Sequence, residues 1–200
     1  MANERRAEIP IVDAAPRVEQ LREALDAVRR LIAGVEPEQW SAPTPCSEWD
    51  VRRLVEHLVG MNLVFAALLN GQEMPRREVD RLGEDPAAAY RHSAKALLEA
   101  FSRPGLLAET ISGPLGAVTG AERLDIRLYD LLVHGWDLAK ATGQPVALPE
   151  DLARRALRFA RRQVDAQPRT GRFDSPQAAG QDLPAIDQLA AFLGRSLNAG

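Results

Sequence analysis

The stretch "RLYDLLVHGWDLAKATG", residues 127–143, is apolar at most helical positions yet plants Asp130, His134 and Asp137 among its leucines. With Leu128, Leu131, Leu132, Val133, Trp136 and Leu138 along it, the segment reads as a helix that the fold buries. Asp130, His134 and Asp137 are spaced four and three apart, which sets them along one side of it. The helix reads back to about Ala121 and stops at Thr142, where Gly143 and Pro145 follow. Such a helix needs other helices to bury it.

The rest of the chain supplies them. Residues 16–34 place Val18, Leu21, Leu25, Val28 and Ile32 on one helical stripe closed by Gly34. A proline-rich connector, "SAPTPCSEWD" (41–50), follows, in which Ser47 and Asp50 have the form of a capping box. The helix it opens runs to about Gly71, with Leu54, His57, Leu58, Met61, Phe65 and Leu68 at spacings of three and four. Asp85 and Pro86 start a third helix to about Ser102. "RPGLLAETISGPLGAVTG" (103–120) lacks a helical period and reads as a long crossover. Residues 148–167 and 183–197 read as two further helices joined by a turn-rich loop. No strand alternation persists and no internal repeat is present. The expected class is all-α, with a flexible segment over 1–15, a four-helix bundle over 16–143 and a helical C-terminal extension over 144–200 packed on it.

Composition bounds the function classes. Of 200 residues, 46% are hydrophobic, enough for a substantial core, and the formal net charge of -3 offers no basic excess for a phosphate backbone. Nucleic-acid binding is therefore not expected. The opening "MANERRAEIPIVDAAP" has no apolar signal-peptide run, and the longest near-apolar stretch, "LVGMNLVFAALL" (58–69), falls short of the ~18 residues a membrane span needs. The one cysteine, Cys46, excludes an internal disulfide and suits a reducing cytoplasm. The expectation is a cytoplasmic protein with no membrane partner; a homodimer through an exposed helix face is compatible with the pattern.

His57 and His134 occupy the apolar stripes of two different helices, and Asp130 lies one turn before His134. Bundles build metal sites from such residues on facing helices. Two imidazoles and one carboxylate suit Zn, Fe, Ni or Co, and three protein ligands leave positions open, as a catalytic site requires. Spacing alone equally allows two core histidines and an Asp130–His134 ion pair. Asp137 is placed either to orient His134 through its second ring nitrogen or to face solvent. His92, between Arg91 and Ser93, reads as a surface residue. Cys46 reads as structural, with a thiol nucleophile at the mouth of the bundle as the alternative; Trp49 and Trp136 read as core packing, and Gly135 as a point of close backbone approach. The arginines of "LARRALRFARRQ" read as solvated, with a few able to attract an anionic thiol or substrate.

"TPCSEWDVRRLVEHLVG", "RLYDLLVHGWDLAKATGQPVALPEDL" and "DQLAAFLGR" together resemble a family of actinobacterial metal-binding proteins related to the N-terminal domain of mycothiol-dependent maleylpyruvate isomerase. More distantly they are similar to DinB-like metalloproteins. The resemblance spans about residues 16 to 195. It implies a DinB-like four-helix bundle holding a divalent metal, zinc or nickel, with His57, Asp130 and His134 at the ligand positions. The family's carboxylate ligand is glutamate in the isomerase; Asp130 is one methylene shorter and must reach from closer or bind through one oxygen or a water. Mycothiol as a thiol cofactor follows from the same resemblance. The expected function is a thiol-dependent metalloenzyme of transferase or isomerase type acting on a small electrophile. A hydrolase using bound water and a non-catalytic helical module are the alternatives.

Overall fold

The computed structural model describes residues 14–76, 80–114, 116–165 and 173–197. Six α-helices follow in order: α1 (Ala14–Ala33), α2 (Val51–Leu69), α3 (Pro86–Phe101), α4 (Gly120–Thr142), α5 (Glu150–Asp165) and α6 (Ala185–Phe192). α1 packs on α3 and α4, and α2 packs on α3 and α4, so the four form a bundle in which α3 and α4 stand on a diagonal. The connection between them must cross the end of the bundle, which is why it is long. It contains a 3₁₀ turn, Leu106–Ala108, and a short antiparallel ladder between β1 (Thr110–Ile111) and β2 (Val118–Thr119). The sequence showed no strand here because two residues are too few to alternate. Arg123 ties the crossover down, donating to the carbonyls of Ile111 at 3.0 Å and Gly116 at 2.7 Å.

α5 and α6 pack on each other and on α4, and the Trp136 indole N–H donates to Asp187 on α6 at 2.7 Å. With α1, α2, α5 and α6 around it, α4 is enclosed: only Glu122, Asp130, Lys140 and Ala141 escape burial along its length. That enclosure explains its missing polar face. The helix is capped at both ends: Thr119 and Glu122 form a capping box, and Gly143 adopts the left-handed conformation, φ 67°, that a helix C-terminus favours.

Three sequence expectations are corrected. α2 is capped by Asp50 alone, whose carboxylate accepts from the Arg53 N–H at 2.8 Å; Ser47 sits exposed in the preceding turn. Thr44, not Ser47, organises that turn, its Oγ1 meeting the Cys46 N–H and the Trp49 carbonyl at 3.1 and 2.9 Å. α1 already begins at Ala14, inside the stretch read as flexible; residues 1–13 and the end of the helix read as 148–167 lie outside the described residues. Gly135 admits side chains and not backbone: a Cβ there would meet Val28 and Leu148 methyls at 3.1 and 3.2 Å. No helix among the described residues is long and apolar enough to cross a membrane.

Gly120 opens α4 where a Cβ would stand 2.1 Å from the Leu106 carbonyl oxygen. Helix propensity favours alanine over glycine by at most about 1 kcal/mol, whereas a forced backbone shift costs roughly 1–3 kcal/mol. Gly120→Ala is therefore expected to lower stability in urea denaturation; unchanged or raised stability would show that the crossover yields freely.

Candidate functional site

α2 and α4 bring three donors together. Asp130 Oδ1 lies 3.6 Å from His57 Nε2 and 3.6 Å from His134 Nε2, and the two imidazoles stand edge-on with centroids 4.8 Å apart. All three donor atoms fall within 4.8 Å of one another. Ligands at the usual bond lengths of a tetrahedral cation stand about 3.4 Å from each other, close to the 3.6 Å that separates Asp130 Oδ1 from each histidine nitrogen. The shorter side chain of Asp130 thus reaches both histidines. His57 Nε2 is buried and makes no hydrogen bond. Leaving such a nitrogen unpaired costs about 1–3 kcal/mol, an expense that a bound cation removes. The residues present fit a divalent ion.

The donors are held from behind. Arg127, one turn before Asp130 and fully buried, pairs with Asp130 Oδ2 and leaves Oδ1 for the histidines. Its guanidinium is fixed in turn by the Leu58 carbonyl at 3.0 Å and by Asn62 Oδ1 at 2.7 and 3.1 Å. Asn62 donates to Ser93, and Ser93 to the Tyr90 carbonyl, which anchors the arrangement in α3. On the other side, His134 Nδ1 lies 2.9 Å from Asp137 Oδ2. An ionised carboxylate only accepts, so Nδ1 carries the proton and Nε2 presents its lone pair to Asp130 and His57. Asp137 is the orienting partner of His134 and not a solvated side chain.

Arg195, just beyond α6, clamps Asp137 through Nε at 3.1 Å and Nη2 at 2.9 Å. The same Nη2 donates to Cys46 Sγ at 2.9 Å, and the thiol itself lies 3.5 Å from Asp137 Oδ2. Neither Arg127 nor Arg195 was singled out from the sequence. The available signals were an arginine amid the leucines of a buried helix and the final residue of "DQLAAFLGR".

The charges follow from this packing. Burial alone would raise the Asp130 carboxyl; Arg127 first, and then the His57 and His134 imidazoles beside it, reverse that and hold it well below the usual carboxylate range. Burial likewise opposes ionisation of Asp137, and its bonds to His134 and Arg195 win. Burial holds His57 below its ordinary value, so its nitrogen is neutral and free near pH 7. Cys46 is pushed up to about 12, by burial first and by Asp137 second. Both causes favour the protonated thiol over the thiolate.

The donors open onto a cleft of about 690 Å³, lined by Pro45 to Trp49, His57, Met61, Phe65, Ile126, Tyr129, Asp130, His134, Phe173, Asp174 and Arg195. Trp49 is half-buried against the core, and it also lies against the imidazoles, 4.7 Å from His57 and 5.5 Å from His134 between ring centroids. Trp136 is core, and His92 is exposed. Among the α5 arginines, Arg154 pairs with Glu150 and Arg155 with Asp125, while Arg158 and Arg162 line a separate shallow cleft.

Residues 21–139 match the model of the mycothiol maleylpyruvate isomerase N-terminal domain. Two uncharacterized proteins of Mycobacterium tuberculosis, from strains CDC 1551 / Oshkosh and ATCC 25618 / H37Rv, are each 39% identical over 176 residues, covering 87% of this chain and 94% of theirs. Crystal structures of the mycothiol-dependent maleylpyruvate isomerase and of its histidine-to-alanine mutant share the fold. Each has a TM-score of 0.58, at 18% and 17% identity, over 75% of this chain and 68% of theirs. The chain belongs to the mycothiol maleylpyruvate isomerase N-terminal domain family, with the DinB-like bundle that the family implies.

Removing Arg127 strands an ionised carboxylate and Asn62 in the interior. Arg127→Met is expected to cost about 3–5 kcal/mol in urea unfolding at pH 7. Because the Asp130 and Asp137 carboxyls are depressed in the folded chain, the stability they carry is present above about pH 4 and is lost as pH falls below it. A wild type whose stability stays flat into acid, or an unchanged Arg127→Met variant, would contradict the network.

Proposed function

We propose that this chain is a thiol-dependent metalloenzyme of transferase or isomerase type, holding a divalent cation, zinc or nickel, on His57, Asp130 and His134. The observation that carries the reading is the buried His57 Nε2 without a hydrogen bond, aimed with His134 Nε2 at one carboxylate oxygen. A cation bound there supplies a Lewis acid, which lowers the pKa of a thiol that reaches it. Mycothiol is the thiol supported by the family.

The chain's own residues set the conditions. Asp137 and Arg195 fix the tautomer and orientation of His134. Arg127 keeps Asp130 ionised and confines it to one free oxygen. Trp49 covers the imidazoles and limits water at the donors. The thiol sulfur gives up its proton to solvent and attacks an electrophilic carbon held in the cleft, forming a C–S bond while the π electron pair of that carbon moves into the conjugated system. If a leaving group departs with its electron pair, the outcome is transfer. If the thiol is expelled again after rotation about the attacked bond, the outcome is isomerisation, and the thiol is regenerated.

The test is thiol consumption, or geometric isomerisation of the acceptor, with metal-loaded protein, mycothiol and a panel of small electrophiles. Rates at least tenfold above the uncatalysed reaction are expected. Asp137→Asn should lose about 10–100-fold, as removal of a ligand's orienting partner does. Turnover of ester or amide substrates without thiol, and none with it, would replace this reading with a hydrolase.

A further inference from the structure

The cleft has two chemically different ends. At one end Cys46, Asp137 and Arg195 form their hydrogen-bonded cluster, with Ser47 and Glu48 exposed at the rim. At the other, Met61 and Phe65 lie one and two turns beyond His57 on α2, and Ile126 lies one turn before Asp130 on α4. Phe65 and Ile126 are each only 5% exposed and Met61 is half-buried, so they make a fixed apolar floor with a partly open edge. Tyr129, packed between Phe159 and Phe173, stiffens its side.

Among the described residues lining the cleft, Arg195 is the one arginine or lysine. Four of its five N–H bonds are already engaged: Nε and Nη2 on Asp137, Nη2 also on Cys46, and Nη1 on the Leu193 carbonyl at 3.0 Å. A carboxylate laid on the apolar floor would lose its hydration beside the Asp130 carboxylate, at the end of the cleft away from Arg195. Maleylpyruvate, named for the enzyme of similar fold, is a dicarboxylate.

We propose that the electrophile bound in this cleft is neutral, flat and apolar, an aryl halide or a conjugated carbonyl compound lacking carboxylates, seated on Met61, Phe65 and Ile126. The proposal rests on the thiol-enzyme reading for the reacting centre and on the chemistry of the floor for selectivity. A polar thiol arm then lies toward the Ser47–Arg195 end, and the acceptor lies toward the floor, with the donors between them.

Calorimetric titration of the purified full chain with two unreactive probes, 1,3-dinitrobenzene and maleate, tests it. The neutral aromatic is expected to bind at least tenfold more tightly than the dicarboxylate. Met61→Arg, a change at the half-buried edge, should weaken dinitrobenzene at least tenfold and strengthen maleate. Should that variant not fold, Ile126→Ala should weaken dinitrobenzene severalfold and leave maleate unchanged. Maleate binding as tightly as dinitrobenzene, or more so, in the wild type would overturn the proposal. Metal content of the same sample reports on the thiol-enzyme reading separately. A metal-free chain that still prefers the aromatic would support the floor's selectivity while removing the metal centre.

Discussion

Compensation of buried charge is the constraint around which this molecule is built. α4 carries Arg127, Asp130, His134 and Asp137 within three turns, enclosed by helices on nearly all sides. An isolated charge there would cost several kcal/mol, so each must meet a partner of fixed geometry. Arg127 meets Asp130, Asp137 meets Arg195 and His134, and Asn62 and the Leu58 carbonyl absorb the remaining donors of Arg127. The set closes except at one place. His57 Nε2 has no hydrogen bond and points at the one Asp130 oxygen that Arg127 leaves free. A network that satisfies everything except a convergent pair of imidazole nitrogens and one carboxylate oxygen has the form of a cation site.

The same constraint explains why the bundle is not self-sufficient. Two of its helices, α2 and α4, and the turn before α2 bring the donors, the tryptophan and the cysteine to the cleft, but the counter-charge for Asp137 comes from beyond α6. Gly194, at φ 94°, lets the chain turn past Asp174 so that Arg195 can enter. The C-terminal helices therefore do more than cover the apolar side of α4: they complete the electrostatics of His134. Loss of Arg195 would be felt at the histidine through Asp137, without any direct contact between arginine and donor atoms.

Much of this was legible in the chain. The helices appeared because their apolar periods, Asp85 and Gly143 are local signals, and the pairing of Asp130 with His134 followed from a spacing of four on one helix. The Asp50 cap was half seen, since a carboxylate before an apolar run can cap by itself and the capping box was redundant. What was missed depends on tertiary position. Arg127 looked like one more charged residue until α2 closed over it, and Arg195 lies nearly sixty residues from the aspartate it holds. Trp49 carries no periodic signal, because a turn organised by Thr44 decides where it points. The two-residue strands of the crossover were too short to register in any pattern.

The most direct test of the central claim is elemental analysis of the purified chain beside its His57→Ala and His134→Ala variants. Near-stoichiometric zinc or nickel in the wild type, lost from both variants while their helical signal persists, is the expected result. A wild type that stays metal-free after incubation with zinc, nickel and iron would contradict the account. It would leave His57 and His134 as core residues of a bundle whose charges are balanced by Arg127 and Arg195 alone.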